Sequence, residues 1–225
     1  MATALITGAS SGIGLELARI FAAEGMDVVL AARSEDKLQA LAQELVDAHK
    51  VAAEVIAGDL SVVGAAQELY DAVKERGLTV DYLVNNAGFG VYGEFAETAW
   101  ADEAAMLNVN IVALTHLTKL FVPEFVKRGS GRILNVASTA SFQPGPLMAA
   151  YFASKAYVLS FSEAVANELK GTGVTVTALC PGATATGFQS AAGAAGSRLF
   201  ETRTLPTGAD VATYGYKVMM RGKRV

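Results

Sequence analysis

One cysteine, two histidines and one tryptophan among 225 residues already exclude several kinds of protein. Cys180 has no partner for an intrachain bridge, which rules out a disulfide framework and fits a reducing compartment. His49 and His116 stand apart from each other and from any thiol or acidic cluster, so neither a metal centre nor a hydrolase elbow is indicated. His116 lies within an apolar run and reads as a packing or interface residue. Trp100 and the scattered Phe and Tyr residues read as core rather than as a stacking platform for bases. Charge is scarce as well: 18% of residues are charged, with 18 basic against 22 acidic and a net charge of −4. That balance supplies no global cationic field for nucleic acid or an anionic membrane. With 52% hydrophobic residues the chain is not of disordered composition. The opening MATALITGAS lacks a charged n-region and cleavage pattern, and Gly or charge interrupts every apolar run before the ~20 residues of a membrane span. The expectation is a soluble, cytoplasmic protein with one domain across residues 1–225.

Glycine, by contrast, is plentiful, and short β-rich runs alternate with longer helical patterns. Strands are expected at Thr3–Thr7, Asp27–Ala31, Val51–Ala57, Val80–Asn85, Arg132–Ala137 and Val174–Leu179. Helices are expected around Gly12–Glu24, Glu35–Ala48, Ala65–Arg76, Thr98–Lys127, Tyr151–Lys170 and Thr207–Met220. Unbroken apolar strands separated by helices indicate a three-layer, doubly wound α/β fold of the Rossmann type, with a parallel sheet covered on both faces. The helices carrying Ile111–Val126 and Phe152–Val165 are apolar around most of their circumference. Each needs a second apolar surface, and self-association as a homodimer or homotetramer is expected to supply it.

The first strand runs into Thr7-Gly8-Ala9-Ser10-Ser11-Gly12-Ile13-Gly14, which opens the first helix. Glycines permit a tight turn and close backbone approach, while the helix N-terminus offers free N–H groups and positive dipole to a pyrophosphate. The spacing differs from GxGxxG, but its place in the first βα unit favours nucleotide binding. An acid near the end of the second strand would select NAD through the ribose hydroxyls. Here that region reads Leu30-Ala31-Ala32-Arg33-Ser34, and the Arg33 guanidinium can pair with a 2′-phosphate. NADP(H) is therefore expected over NAD(H).

Tyr151 and Lys155 lie one helical turn apart on a shared face. A phenol with a pKa of about 10 exchanges protons poorly at neutral pH, and a nearby ammonium lowers that value. Ser138, just beyond the fifth strand, can hold the same substrate oxygen, at the strand end where open α/β sheets place ligands.

Taken together, these features resemble the short-chain dehydrogenase/reductase family across nearly the whole chain. The resemblance is carried by TGASSGIG at 7–14, Asp59-Leu60, Asn85-Asn86-Ala87-Gly88, Asn110, Ser138, Tyr151-x-x-x-Lys155, and Pro181-Gly182 with Thr186. It implies Tyr151 as general acid/base, with Lys155 binding the nicotinamide ribose and lowering the tyrosine pKa. It implies that Ser138 polarises the substrate oxygen and that Asn110 supports Lys155 through an ordered-water relay. It assigns cofactor contacts to Gly8, Ser10, Ser11, Gly12, Ile13, Gly14 and Arg33 at the phosphate end, and to Asp59 and Leu60 at the adenine. Asn86, Ala87 and Gly88 would line the cofactor, and Pro181, Gly182 and Thr186 would enclose the nicotinamide. Asn85 reads equally well as a strand-joining residue.

The expected reaction is interconversion of a carbonyl and a secondary alcohol, with an apolar ketone or aldehyde as substrate. Pocket walls are expected at Phe89, Gly90, Tyr92, Phe142, Gln143, Leu147 and the segment after Pro181, with Gly187–Ser197 inside a lid around 187–205. A non-catalytic NADP(H) sensor on this fold would need the Gly-rich turn but not Ser138, Tyr151 and Lys155 together. A methyltransferase-like domain would explain neither Arg33 nor the Tyr/Lys pair. The resemblance also implies a seventh strand and a tail, and Arg221–Val225 reads as the entrance to that strand, truncated or missing here.

Overall fold

A computed structural model describes residues 1–188 and 205–225. Strand β1 (Thr3–Thr7) is buried at every position, as an apolar strand covered on both faces must be. With β2 (Asp27–Ala32), β3 (Ala53–Ala57), β4 (Tyr82–Asn85), β5 (Gly131–Val136) and β6 (Val174–Leu179) it forms a six-stranded parallel sheet. The order is β3-β2-β1-β4-β5-β6, so the chain reverses its direction of travel between β1 and β4. Open α/β sheets bind ligands at the crevice this reversal creates.

Successive strand residues serve opposite faces. Ala4, Ile6, Val28 and Leu30 pack with α1 (Gly12–Ala23), α2 (Glu35–His49) and α7 (Gly208–Met220) through Leu17, Phe21, Leu41 and Met219. Leu5, Val29, Leu83 and Ile133 face α3 (Ala65–Glu75) and α5 (Leu114–Arg128) through Leu69, Val73, Phe121 and Phe125. Leu114, Leu117, Phe121 and Phe125 recur at helical spacing, which turns one stripe of α5 onto the sheet. Removing each such Phe from water contributes roughly 1.5–3 kcal/mol before the cost of ordering. The continuous helical segment Trp100–Arg128 is long and apolar enough to span a membrane by length and composition, yet this stripe is committed to the sheet.

Several expectations change in detail. The long helix expected over Thr98–Lys127 begins at Trp100 as α4 (Trp100–Leu107) and continues through a π-helical turn, Asn108–Ala113, into α5. Trp100 is 72% exposed, not core, because it opens α4 on the outer side. Glu103, in the first turn of α4, is buried, and the Thr98 hydroxyl donates to its Oε1 at 3.1 Å. β3 starts two residues later than expected; Val51 is buried outside the strand. At the far edge, Arg224 O accepts from the Ala178 N–H at 2.7 Å, so the last residues run beside β6. Of the expected lid, Gly187, Phe188 and Leu205 are described, and 189–204 lies outside the described residues.

Candidate active site

The C-terminal ends of the strands open into a cleft of about 550 Å³ at the β1/β4 reversal. Its phosphate end is the turn between β1 and α1. Gly8 and Gly12 have φ of +68° and +57°, and a Cβ on Gly8 would stand 2.8 Å from Asn86 Nδ2. A Cβ on Gly14 would stand 2.4 Å from the same nitrogen and from Gly8 O. Gly8 needs glycine for both conformation and clearance, Gly12 for conformation and Gly14 for clearance. Asn86 closes the knot: its Nδ2 donates to Thr7 O at 2.9 Å and to Gly8 O at 3.2 Å. The Thr7 hydroxyl accepts from the N–H groups of Asn86 and Ala87 and donates to Val84 O.

Ser11, at the N-cap of α1, makes no side-chain cap, and Ser11, Gly12 and Ile13 line the cleft. The first-turn N–H groups, which have no intrahelical acceptor, are therefore offered to the cleft. Arg33 and Asp59 lie farther along, after β2 and β3, with Leu60 beside them. The Ser61 N–H donates to Asp59 and holds its carboxyl below the ordinary range, with Arg33 a smaller contributor. Glycine clearance, free N–H donors and a cation beyond β2 together fit an extended dinucleotide.

The other end is built by α6 (Ala149–Glu168), the loop after β5 and the loop after β6. Ser138 caps a 3₁₀ turn, Thr139–Phe142; its Oγ accepts from the Ala140 N–H at 3.1 Å and donates to Pro181 O at 3.4 Å. Ser141 Oγ donates to Lys155 O at 2.7 Å, tying that turn to α6. Lys155 is buried, and its Nζ donates to Val136 O at 2.8 Å. Burial brings its pKa down to about 8. The Tyr151 hydroxyl goes the other way: burial raises its pKa, and the Ser138 hydroxyl opposes this more weakly. The expected lowering by Lys155 is not the dominant influence, since the ammonium sits 5.9 Å from the ring centroid and desolvation prevails. Phe188 leans on the Tyr151 ring at 5.3 Å between centroids.

Most of the expected site residues line this one cleft: Gly8, Ser10–Ile13, Arg33, Asp59, Leu60, Asn86–Gly88, Ser138, Tyr151, Lys155, Pro181, Gly182 and Thr186. Gly14 and Asn110 do not. Gly14 makes room for Asn86 behind the turn. Asn110, in the π-helical turn, is buried behind Gly88, whose Cβ would stand 2.9 Å from Asn110 Oδ1 and 3.3 Å from Lys155 Nζ. Asn85 is buried beneath the site and donates to Asn135 Oδ1 and Thr118 Oγ1. Among the expected walls, Phe89 and Gln143 line the cleft, whereas Gly90, Tyr92 and Leu147 do not, nor does Phe142, which is 63% exposed. Met148 and Phe152, missed in the sequence, line the cleft in its place. Their spacing of three back and one on from Tyr151 is the signal that could have found them.

The family model for short chain dehydrogenases matches residues 2–195. A Streptomyces coelicolor protein described as a ketoacyl reductase is 42% identical over 184 residues, covering 80% of this chain and 69% of that protein. The very-long-chain 3-oxoacyl-CoA reductase of Anas platyrhynchos is 37% identical over 186 residues, covering 80% of this chain and 59% of that one. The chain thus spans 59–69% of the length of these two curated relatives. A short-chain dehydrogenase from Sphingobium yanoikuyae, solved in complex with NADPH, superposes with a TM-score of 0.92 at 33% identity, covering 100% of this chain and 87% of that one.

Proposed function

The chain belongs to the short-chain dehydrogenase/reductase family, and on that premise we propose that it is an NADP(H)-dependent reductase of an apolar ketone or aldehyde. The observation that carries this reading is the meeting of Ser138, Tyr151 and Lys155 in one cleft with the uncapped N-terminus of α1. The NADPH held by the Sphingobium yanoikuyae relative and the ketoacyl and 3-oxoacyl reductase names of the other two support it. A binding-only sensor would use the glycine turn and leave the buried tyrosine and lysine without a task.

In this reading the N–H groups of Ser11, Gly12 and Ile13 hold the pyrophosphate, Arg33 pairs with the 2′-phosphate, and Asp59 and Leu60 flank the adenine. Asn86–Gly88, Pro181, Gly182 and Thr186 enclose the nicotinamide half. The reduced nicotinamide supplies hydride to the carbonyl carbon when bound there. Ser138 Oγ holds the carbonyl oxygen, and Tyr151 Oη donates its proton to it. The raised Tyr151 pKa keeps that proton in place at neutral pH, which suits the acid of a reduction. Lys155, charged below about pH 8, binds the ribose and stabilises the phenolate left behind. Asn110 fixes the wall behind Lys155, and oxidation would reverse these transfers.

The same reading makes the protein soluble, cytoplasmic and self-associating. Val112 and Tyr157 stay partly exposed on the π-helical turn and α6, Tyr157 stacks on Phe161, and its Oη lies 3.1 Å from Thr115 Oγ1. That apolar face is where a second copy would dock. The decisive experiment for the activity follows NADPH absorbance against a panel of ketones and aldehydes. Wild type should consume NADPH, and Tyr151→Phe should lose at least ~100-fold in turnover while still binding it. Equal turnover in the two proteins would remove Tyr151 from the reaction.

A further inference from the structure

We propose that Gly90, acting through Met148, sets the size of the carbonyl substituent this site accepts, and that the substrate is a ketone bearing a bulky uncharged hydrocarbon group. The inference rests on the reductase reading above and adds the shape of its substrate.

A Cβ placed on Gly90 would stand 2.7 Å from Met148 Cε, 3.2 Å from Phe188 Cζ and 3.3 Å from Tyr151 Cδ2. Gly90 is not among the positive-φ residues, so its backbone does not demand glycine. What demands it is space beside the tyrosine ring. The tightest of the three contacts is to the end of a flexible thioether, a group able to move. Met148 is buried, with Met106, Ala140 and Phe152 packed in the same cluster, and it lines the cleft. Its methyl group therefore yields toward the cleft rather than into the protein. A side chain at position 90 becomes, through Met148, a loss of volume beside Tyr151.

The described walls favour an uncharged occupant beside Tyr151. Among the described residues, the charged side chains lining the cleft are Arg33, Asp59 and Lys155. The first two lie beyond β2 and β3, and Lys155 directs its ammonium to Val136 O. Beside Tyr151 stand Met148, Phe152 and Phe188, none of which can pair with a carboxylate or phosphate. A ring or branched hydrocarbon next to the carbonyl meets the apolar side chains of Met148, Phe152 and Phe188 there, and Met148 can adjust to its outline.

The test compares kcat/KM for 2-decalone with that for cyclohexanone, using NADPH. One methyl group in an apolar pocket changes selectivity by roughly 10–200-fold, so Gly90→Ala should lower the large-to-small ratio by about tenfold. Adding Met148→Ala to Gly90→Ala should recover most of that ratio. Met148→Ala alone, the variant to use if Gly90→Ala does not fold, should raise it. A Gly90→Ala ratio within twofold of wild type, a double variant without recovery, or a Met148→Ala ratio that falls or stays level would overturn the proposal. Calorimetric titration of both ketones onto the protein saturated with NADP⁺ separates this proposal from the reductase reading. Affinities that follow Gly90 and Met148 without any turnover would sink the reductase reading and keep the subsite. Turnover with a size order indifferent to both residues would sink the subsite alone, and neither binding nor turnover would sink both.

Discussion

Asn110 grips the Phe89 peptide with both ends of its amide: Nδ2 donates to Phe89 O at 3.0 Å, and Oδ1 accepts from Phe89 N at 3.2 Å. The same Nδ2 reaches Ser154 Oγ at 3.0 Å, and that hydroxyl donates to Tyr151 O at 2.7 Å. One buried side chain thus joins the loop after β4 to the helix that carries Tyr151.

Asn110→Leu should therefore lower stability by about 1–3 kcal/mol, since it takes the partner from the half-buried N–H and C=O of Phe89 and one of two partners from the Ser154 hydroxyl. Urea unfolding measures that loss. Turnover should fall further than the unfolded fraction accounts for, because Tyr151 loses its alignment. A variant with normal kcat at full folding would show the grip to be purely structural.

Lys155 should cost the fold stability. Its pKa is about 8 in the folded protein against an ordinary value near 10.4, so between those values the unfolded chain binds more protons. Stability should rise with pH across that window, and the penalty of roughly 3 kcal/mol should be fully present below it. Lys155→Met removes the charge and also loses a hydrogen bond to Val136 O worth about 1 kcal/mol. The variant should gain about 2 kcal/mol at pH 7 while losing turnover. Thermal unfolding between pH 6 and 10 reads the effect; a flat wild-type profile would refute the depressed pKa.

Arg33 tests the cofactor preference. A hydrogen bond to a charged group contributes roughly 1.5–3 kcal/mol, so Arg33→Ala should weaken NADPH binding by about 10–100-fold. NADH affinity should change far less. Fluorescence titration with both cofactors decides the point, and equal losses for the two would remove Arg33 from the 2′-phosphate.

Association through Val112 and Tyr157 predicts that a charge placed there disrupts it. Val112→Asp should lower the sedimenting mass toward that of one chain at micromolar concentration. An unchanged oligomer, or a wild-type monomer, would discard this face as the interface.

The strands were legible because β1 and its neighbours are buried on both faces, so their apolar runs carry no alternation to misread. That Arg33, Ser138, Tyr151 and Lys155 would border one cleft was legible because a strand end and one helical turn fix where such residues go. The π-helical turn that brings Asn110 to Phe89 was not, since nothing in Asn108–Ala113 distinguishes it from ordinary helix. The burial of Glu103 was hidden as well, since a carboxylate in a first turn gives no sign of whether it faces solvent or the Thr98 hydroxyl. The direction of the Tyr151 pKa was likewise beyond the sequence, because it depends on how deeply Phe152 and Phe188 desolvate the phenol.

The knot of Thr7, Gly8, Gly14 and Asn86 has a consequence for the order of events. Its hydrogen bonds close within the protein itself, so the cradle for the phosphates is already assembled when the chain has folded. A nucleotide arriving there has little backbone left to immobilise and loses correspondingly little free energy to entropy. The opposite half of the cleft rests on a movable thioether and an aromatic ring leaning on Tyr151. One half behaves as a mould cast in advance and the other adjusts to its occupant, an asymmetry that, for the proposed reaction, favours nucleotide first and carbonyl second.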